Sequence, residues 1–405
     1  MTLGVGGNTP EQALAGLQNM TAGVEPIGLA EYQARIAQAQ ALMRAQGIAA
    51  LYLNAGSNLR YFSGVQWYAS ERLVGAVLPA EGALEYLAPA FEEGTVRDFQ
   101  VVPGAINTWE EHEDPYRLLL GVFARLGATS GSRVGLCPTL PFTMFERLRR
   151  QGIGFDFIDA ALVTAACRQR KSPAELALMQ RAKNMTLEVH KAAASMLREG
   201  ISTTEVTQFI QQAHRQVGAA GSTFCIVLFG PASAFPHGVK HAQTLKQGDM
   251  VLIDTGCQLH GYQSDITRSY VFGTPSARQR EFWDMEKAAQ QAAFDAARLG
   301  APCQAVDAAA RRSLEANGLG PDYRLPGLPH RTGHGIGLDV HEGPYLVRGD
   351  ETPLAEGMCF SNEPMICVPG EFGIRLEDHF YMTAEGPRWF TEPSHSVDDP
   401  FGLER

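Results

Sequence analysis

Residues 250–271 read MVLIDTGCQLHGYQSDITRSYV, and this stretch contains two acidic side chains that follow strand-like runs. Its apolar beginning leads directly into Asp254, as expected for a buried strand at about 249–254. The following segment, at about 259–272, is predicted to form a hairpin that carries Asp265 and has Gly261 near its turn. Because a charged group at the end of a buried run needs a partner, both aspartates are candidate ligands.

Three further candidate ligands follow in the chain. His334 lies in TGHGIG (332–337), Glu363 in SNEP (361–364) and Glu377 in IRLED (374–378). Glycine on both sides of His334 allows the backbone to approach a ligand closely. Any one of these acids alone would be interpreted as a solvated surface group. Four carboxylates and one imidazole together match the needs of two divalent cations, because a carboxylate can bridge two metals and the cations offset the repulsion among the anions.

The motifs around these residues resemble those of the pita-bread metallopeptidases, specifically the branch that holds aminopeptidase P and Xaa-Pro dipeptidase (prolidase). His237, in FPHG (235–238), precedes Asp254 at the separation found in that branch. His330, His334 and His341 keep the spacing of the family. Further segments close to the family pattern are VHEGP (340–344), GIRLED (373–378) and RKSPAE (170–175).

This resemblance implies an α+β fold with two domains, which agrees with a chain of 405 residues that exceeds the usual size of a single core. Residues 166–405 are expected to form the pita-bread catalytic domain, a curved and mostly antiparallel sheet covered by helices. Residues 1–165 are expected to form a small α/β domain of the creatinase/prolidase N-terminal type. The first 25 residues or so are expected to be loosely ordered.

Local sequence patterns predict the elements of both domains. The pattern S-x-x-E at Ser172–Glu175 and Ser202–Glu205 indicates the starts of two helices. Other helices are predicted at about 28–48, 114–126, 141–151, 277–298 and 304–316, and strands at about 49–53, 73–78, 85–88, 223–229 and 249–254.

The resemblance also implies a role for each candidate ligand. Asp254 would bind one metal, His334 and Glu363 the other, and Asp265 and Glu377 would bridge the two. A ligand set of oxygen and nitrogen atoms suits hard cations, and manganese is the expected metal, with cobalt, zinc and iron as alternatives.

Further catalytic roles follow from the same resemblance. Glu363 would also transfer the proton of the attacking water. His341 would donate a hydrogen bond to the oxyanion. His237 and His330 would contact the backbone of the substrate. For each of these histidines taken singly, the alternative is a structural imidazole.

Four residues are candidates for substrate contacts, each with an alternative. Arg375 would either orient Glu377 or hold a carboxylate of the substrate. Arg348 lies in a loop where relatives carry an arginine for the carboxyl end of the substrate. Trp67 would either pack in the core of its domain or reach the pocket of a neighbouring subunit in a homodimer. Cys367 stands where the family usually has tyrosine, and is either a substrate contact or a small buried thiol.

Composition excludes several other classes of partner. The formal net charge is −10 and the chain has no basic cluster, so nucleic acid is not an expected partner. No apolar stretch is long enough for a transmembrane helix, and the beginning of the chain lacks the pattern of a signal peptide. Seven cysteines without a CxxC pair predict free thiols in a reducing cytoplasm.

The predicted function is metal-dependent hydrolysis of the Xaa-Pro bond in dipeptides or short peptides. An aminopeptidase that cuts before proline is the alternative within the same branch. A second alternative is a metal-dependent hydrolase or lyase that acts on another substrate. The cysteine at position 367, where the family usually has tyrosine, keeps this alternative open. Creatinase-like enzymes and non-enzymatic binding modules of the fold lose these ligands, whereas this chain keeps all five. A methionine aminopeptidase would not need the N-terminal 165 residues.

Overall fold

A computed structural model describes residues 1–404 and divides the chain into two compact units. One unit is Ile27–Arg168, and the other joins Met1–Pro26 to the rest of the chain from Gln169. Each unit has its own cluster of buried apolar side chains. The predicted α+β class, with a mixed α/β unit and a unit built on antiparallel sheets, is confirmed.

The first 26 residues differ from the expectation of a loosely ordered part of the N-terminal domain. They contain helix α1 (Pro10–Ala15), and the side chains of Ala13 and Leu17 are buried. The Thr2 amide donates to the Gly273 carbonyl at 2.9 Å. This segment therefore belongs to the C-terminal unit, because its backbone and apolar side chains find their partners there. The sequence has no local signal for such distant partners.

The unit Ile27–Arg168 is built on one mixed sheet. Its helices are α2 (Leu29–Gln46), α3 (Ser57–Ser63), α4 (Glu93–Phe99), α5 (Pro115–Arg125), α6 (Phe142–Gln151) and α7 (Ala161–Arg168). Its strands are β1 (Ile48–Asn54), β2 (Gly75–Pro79), β3 (Glu85–Pro89), β4 (Ile106–Trp109), β5 (Arg133–Leu136) and β6 (Asp156–Asp159), in the sheet order β4-β3-β2-β1-β5-β6. All the helices and strands predicted for this region are present.

The C-terminal unit contains antiparallel sheets and four long helices. The helices are α8 (Pro173–Ser195), α9 (Thr203–Gln216), α10 (Ala277–Ala296) and α11 (Cys303–Ala316). A three-stranded sheet has the order β11 (Ile266–Val271), β8 (Met250–Gly256), β7 (Phe224–Phe229), and the short strands β9 (Gln258–Leu259) and β10 (Tyr262–Gln263) pair beside it. A five-stranded sheet has the order β13 (Glu342–Leu346), β12 (Gly333–Gly335), β14 (Cys359–Asn362), β17 (Asp378–Thr383), β18 (Gly386–Trp389), and β15 (Met365–Val368) pairs with β16 (Phe372–Arg375).

Both predicted helix starts carry the expected capping interactions. Ser172 accepts a hydrogen bond from the Glu175 amide, and the Glu175 side chain accepts one from the Ser172 amide. Ser202 and Glu205 make the same reciprocal pair at the start of α9. These interactions satisfy backbone donors that have no partner within the helix, so the helices begin where the sequence indicates.

The predicted hairpin at about 259–272 forms in part. The turn lies at Gly261, as expected, and Gly261 has a φ of 90° that a glycine adopts without strain. Only the short strands β9 and β10 pair across this turn, whereas β11 pairs with β8 and sets Thr267 opposite Asp254. This pairing brings Asp265, directly before β11, to the end of the strand that carries Asp254.

A glycine brings the central strands of the five-stranded sheet together. A Cβ atom on Gly333 would lie 2.1 Å from the Ser361 carbonyl oxygen, which is far inside van der Waals contact. Only glycine permits β12 to approach β14 this closely. His334, the next residue, is thereby held close to the end of β14, where Glu363 follows.

Two buried histidines are neutral in the fold. The His190 Nε2 donates to the Ile266 carbonyl at 2.9 Å, and burial, together with the nearby Arg268, lowers the pKa of His190 to about 3. His214 lies between the hydroxyls of Thr186 and Ser222, and burial lowers its pKa to about 4.

We expect these histidines to make the protein less stable as the pH falls below about 6.5, the ordinary pKa of histidine. Both folded-state pKa values are depressed, so the unfolded chain binds more protons than the folded protein between that pH and about 4. Each histidine should lower the free energy of unfolding by about 2 kcal/mol between pH 6.5 and pH 5, since one pKa unit corresponds to about 1.4 kcal/mol.

Thermal unfolding of the metal-loaded protein at several pH values between 5 and 7.5 measures this effect. The variants His190→Gln and His214→Gln should each show a smaller change of Tm with pH than the parent protein. An unchanged slope in both variants would contradict the assignment of the acid sensitivity to these side chains.

Candidate metal centre

The five predicted ligands line one cavity of about 540 Å³. Asp254 lies on β8 and Asp265 directly before β11, whereas His334 lies on β12. Glu363 follows β14 and Glu377 precedes β17. The last residue of β14 pairs with the first residue of β17, so the two glutamates leave the same end of adjacent strands.

His334 presents one nitrogen to the carboxylates. Its Nδ1 donates to the Gly335 carbonyl at 3.0 Å, so the neutral ring carries a lone pair on Nε2. That Nε2 lies 3.1 Å from Glu363 Oε1 and 3.6 Å from Asp265 Oδ2. A lone pair that faces carboxylate oxygens favours a cation between them, and a carbonyl on the other nitrogen is how ligating histidines are usually oriented.

The ligand atoms fall into overlapping groups in which all atoms lie within 4.8 Å of one another. One group is His334, Glu363 and Glu377, and a second is Asp265, His334 and His341. A third group is Asp265, Glu377 and His379. Asp265, Glu377 and His334 each occur in two of these groups, whereas Asp254 occurs in none of them.

Three buried carboxylate oxygens show that the residues fit bound cations. Asp254 Oδ1, Asp265 Oδ1 and Glu377 Oε1 have no hydrogen-bond partner among the described residues. Burial raises the pKa of all three carboxyl groups, the neighbouring carboxylates raise them further, and the shifts at Asp265 and Glu377 are the larger. Unpaired anionic oxygens in the interior are costly, and divalent cations would remove this cost.

Two other carboxylate oxygens of the cluster accept hydrogen bonds, one from Thr267 and one from Arg375. The Thr267 hydroxyl donates to Glu377 Oε2 at 2.6 Å, and Arg375 Nη2 donates to Asp254 Oδ2 at 2.5 Å. Arg375 Nε also donates to the Thr267 hydroxyl at 3.0 Å. Of the two roles predicted for Arg375, the contacts are those of an orienting residue, although the carboxylate that it contacts is Asp254 and not Glu377.

Among the four carboxyl groups, Glu363 is the one whose surroundings favour the ionised form. Burial pushes its pKa upward, but the hydrogen bond with His334, the charges that His334 and His330 carry when protonated, and the charge of Arg375 outweigh burial and bring the pKa of Glu363 below its usual range. Glu363 is therefore ionised at neutral pH and able to accept a proton.

Three further predicted histidines line the same cavity. The His330 Nδ1 donates to the Arg331 carbonyl at 2.7 Å, whereas its Nε2 is buried without a partner among the described residues. The ring of His341 lies 4.0 Å, between centroids, from the ring of His334, and partial burial, followed by the charge that His334 carries when protonated, lowers the pKa of His341 to about 4. His237 lies on the loop after β7 and completes this wall.

Three other predicted contact residues are not among the residues that line this cavity. Cys367 is buried on β15, and burial raises the pKa of its thiol to about 12, which matches the small buried thiol of the two alternatives. Arg348 is exposed and pairs with Asp322, so its position does not support the predicted contact with the substrate. Trp67 lies in the unit Ile27–Arg168, where it packs edge-on against Phe99 and lines a separate surface cavity.

The sequence analysis missed His379 and Thr267. His379 was not among the candidate residues, yet it is fully buried and neither ring nitrogen has a hydrogen-bond partner among the described residues. Alternation along a strand could have found both residues, since Thr267 lies two positions after Asp265 and His379 two positions after Glu377. Residues two apart on a strand share a face.

The fold and the cluster define a metallopeptidase. The chain matches the metallopeptidase family M24 over residues 177–384 and the creatinase/prolidase N-terminal domain over residues 35–170. The protein therefore belongs to metallopeptidase family M24, whose members hold divalent metal ions and typically hydrolyse their substrates at a dinuclear centre.

Several relatives match almost the whole chain. The probable dipeptidase PepE of Mycobacterium tuberculosis is 34% identical over 359 residues, which cover 88% of this chain and 93% of the relative. The crystal structure of dipeptidase PepE from Mycobacterium ulcerans has a TM-score of 0.85 and 34% identity, with 92% of this chain and 99% of that chain covered. A recombinant prolidase from Thermococcus sibiricus has a TM-score of 0.82 and 30% identity, with 89% and 97% covered.

Proposed function

We propose that this protein is an Xaa-Pro dipeptidase that hydrolyses the bond before proline with two divalent cations. The observation that carries the proposal is the single cavity in which five ligand side chains, three with an unpaired buried oxygen, meet three histidines. The similarity to a solved prolidase over 89% of the chain supports the choice of substrate.

The proposed ligand set is the one that the family resemblance implies, and the groups of neighbouring ligand atoms contain four of its members, all except Asp254. Asp254 would hold one cation, His334 and Glu363 the other, and Asp265 and Glu377 both. Manganese suits four carboxylates and one imidazole, and cobalt, zinc or iron would fit the same atoms. When bound, the cations acidify a water molecule and polarise the scissile carbonyl group.

The side chains around the cations would then carry the remaining steps. Glu363, ionised at neutral pH, takes the proton of the attacking water and passes it to the leaving nitrogen. His341 is neutral at that pH and keeps one N–H group, which donates to the oxyanion. His330 offers its unpartnered Nε2 to the backbone of the substrate, and His237 contacts the substrate from the opposite loop.

The cavity also has features suited to proline. Its volume of about 540 Å³ is typical of a small-molecule site, and Phe224, Ile226 and Val340 give it an apolar wall. The bond before proline has no N–H group, so a pocket for this residue need not supply an acceptor for it. An apolar wall is therefore appropriate next to the proline ring.

We further propose a cytoplasmic homodimer. All seven cysteines are free thiols, as a reducing compartment requires. No helix among residues 1–404 has the length and hydropathy to cross a membrane. Trp67, with Phe99 and the exposed Tyr68, forms an aromatic surface through which one subunit would contact the pocket of the other.

We expect metal-loaded protein to hydrolyse Ala-Pro and Leu-Pro and to leave Ala-Ala and Ala-Pro-Ala intact. The reason is that the cavity would accept a dipeptide whose second residue packs its ring against the apolar wall. The measurement is release of free proline or alanine by protein stripped of metal and then reloaded with Mn²⁺.

The tripeptide Ala-Pro-Ala distinguishes an Xaa-Pro dipeptidase from the alternative enzymes. Cleavage of Ala-Pro-Ala would assign an aminopeptidase that cuts before proline. Failure to cleave any of the four peptides with Mn²⁺, Co²⁺, Zn²⁺ or Fe²⁺ would overturn the proposal in favour of a different metal-dependent reaction.

A further inference from the structure

One member of a buried ion pair is the residue that follows the proposed oxyanion donor, His341, in sequence. Lys171 Nζ donates to Glu342 Oε1 at 2.5 Å, and the two side chains are only 2% and 10% exposed. Glu342 is the residue after His341. Charges that are paired and desolvated hold a fixed geometry, because separating them would leave each one uncompensated.

The lysine is fixed through its backbone to the segment that leads to Glu363. The Lys171 amide donates to the Gly357 carbonyl at 2.7 Å, and Arg170 forms a β-bridge with Met358. The strand β14, which ends directly before Glu363, begins one residue later. The ammonium group of Lys171 therefore extends from a backbone that is paired with the segment directly before β14.

The glutamate is fixed to the strand that carries His334. Glu342 is the first residue of β13 and pairs with Gly335 of β12. A Cβ atom on Gly337 would lie 2.6 Å from Glu342 Oε1 and 3.0 Å from Lys171 Cε, so the ion pair lies against the bare backbone of the turn between these strands. Glycine at this position leaves the space that the pair occupies.

His341 itself has few restraints. Its side chain is exposed at the cavity, and it lies just outside the paired residues of β13. The position of its ring, 4.0 Å from that of His334, therefore depends on where the chain enters β13. Glu342 sets this entry point, and Lys171 holds Glu342.

We propose that Lys171 and Glu342 are positioning residues that hold His341 where the oxyanion forms. The inference rests on the proposed role of His341. Neither side chain lines the cavity, so the pair acts through His341 and does not contact the substrate.

Replacing Lys171 with Met should lower kcat for Ala-Pro about 30-fold and change KM less than about 2-fold. An interaction made only in the transition state affects kcat, and small displacements of a catalytic group cost up to about 100-fold. Bound metal, measured by elemental analysis, should remain at the parent level. Lys171→Arg, which keeps the charge, should recover part of the loss.

A double-mutant cycle distinguishes positioning from general structural damage. In a His341→Ala background, Lys171→Met should lower kcat less than about 3-fold, because the group through which it acts is absent. Arg35→Met, which breaks the similarly buried Arg35–Glu31 pair in the other unit, is the matched control and should leave kcat within about 2-fold of the parent. An equal loss of kcat in both backgrounds would overturn the proposal.

A measurement without substrate separates this proposal from the proposed function. In long-range ¹H–¹⁵N spectra the imidazole signals of His341, identified by their loss in His341→Ala, should shift in Lys171→Met while those of His190 stay in place. Unmoved His341 signals would overturn the proposal even if peptides are hydrolysed. If Lys171→Met does not fold, the double variant Lys171→Met/Glu342→Leu removes both charges and should show the same shift and the same loss of kcat.

Discussion

Replacing Glu363 with Gln should lower kcat for Ala-Pro by at least about a thousandfold, which combines the loss of a general base with the loss of a charged ligand. In the parent protein the Ser361 hydroxyl donates to Glu363 Oε1 at 3.1 Å. Glutamine has nearly the same shape as glutamate, so its side-chain oxygen can still accept this hydrogen bond. It cannot accept the proton of the attacking water. The loss should therefore arise from chemistry and not from unfolding.

Three measurements on Glu363→Gln establish that the loss of activity does not come from unfolding. The far-UV circular dichroism of Glu363→Gln should match that of the parent protein, the bound metal should fall from two equivalents toward one, and the Tm should lie between those of the loaded and the stripped parent protein. Glu371→Gln is the matched control, since Glu371 is exposed and pairs with Arg278 on the surface. It should retain full activity. More than about a tenth of the parent kcat in Glu363→Gln would refute the role of this carboxylate as general base.

Removing the metal ions should abolish hydrolysis and lower Tm by about 10 °C at pH 7.5. A ligand present at a thousand times its Kd stabilises the folded state by about 4 kcal/mol. In a unit of this size each kcal/mol corresponds to about 2–4 °C in Tm. In stripped protein only Arg375 partly offsets the repulsion among Asp254, Asp265 and Glu377, whereas in loaded protein the cations offset it.

The pH dependence of this difference follows from the carboxyl pKa values. In the absence of metal, burial and the neighbouring carboxylates raise the pKa of Asp265 and Glu377 well above the usual range. A raised folded-state pKa gives stability that is present at low pH and is lost as the pH rises through that pKa. Metal binding requires the same groups deprotonated, so the gap in Tm between loaded and stripped protein should widen from pH 5.5 to pH 8.

Calorimetry of loaded and stripped protein at matched pH tests this result, because the contribution of the buried histidines cancels in the difference. Asp265→Asn removes one of the repelling charges and one shared ligand, and it should lose most of the metal-dependent shift. A gap that is constant or narrows with rising pH would show that the metal does not bind at these carboxylates.

The elements with short-range signals were predicted well. Capping residues fix the start of α8, and an apolar run fixes β8, because these features depend on neighbours in the chain. The convergence of Asp254, Asp265, His334, Glu363 and Glu377 on one cavity was predicted from the family resemblance. Spacing along the chain alone could not have shown that the strands carrying them meet.

Features that depend on distant pairing were missed. The hydrogen bond from Thr2 to Gly273 and the ion pair of Lys171 with Glu342 join residues far apart in sequence. The local sequence around each residue does not indicate which distant residue it will contact. Arg348 was assigned because relatives carry an arginine in the corresponding loop, but a loop residue has no periodicity that fixes the direction of its side chain. His379 was missed because its surroundings include Lys183 and Asp265, which are far from it in sequence.

The division of the ligands between two sheets has a consequence for how the enzyme matures. Asp254 and Asp265 belong to the three-stranded sheet, whereas His334, Glu363 and Glu377 belong to the five-stranded sheet or its edges. A chain still emerging from the ribosome has no complete site until Glu377 is free and both sheets have docked. Metal acquisition is therefore a late step in biogenesis, and a cell short of the cation would accumulate folded but inactive enzyme.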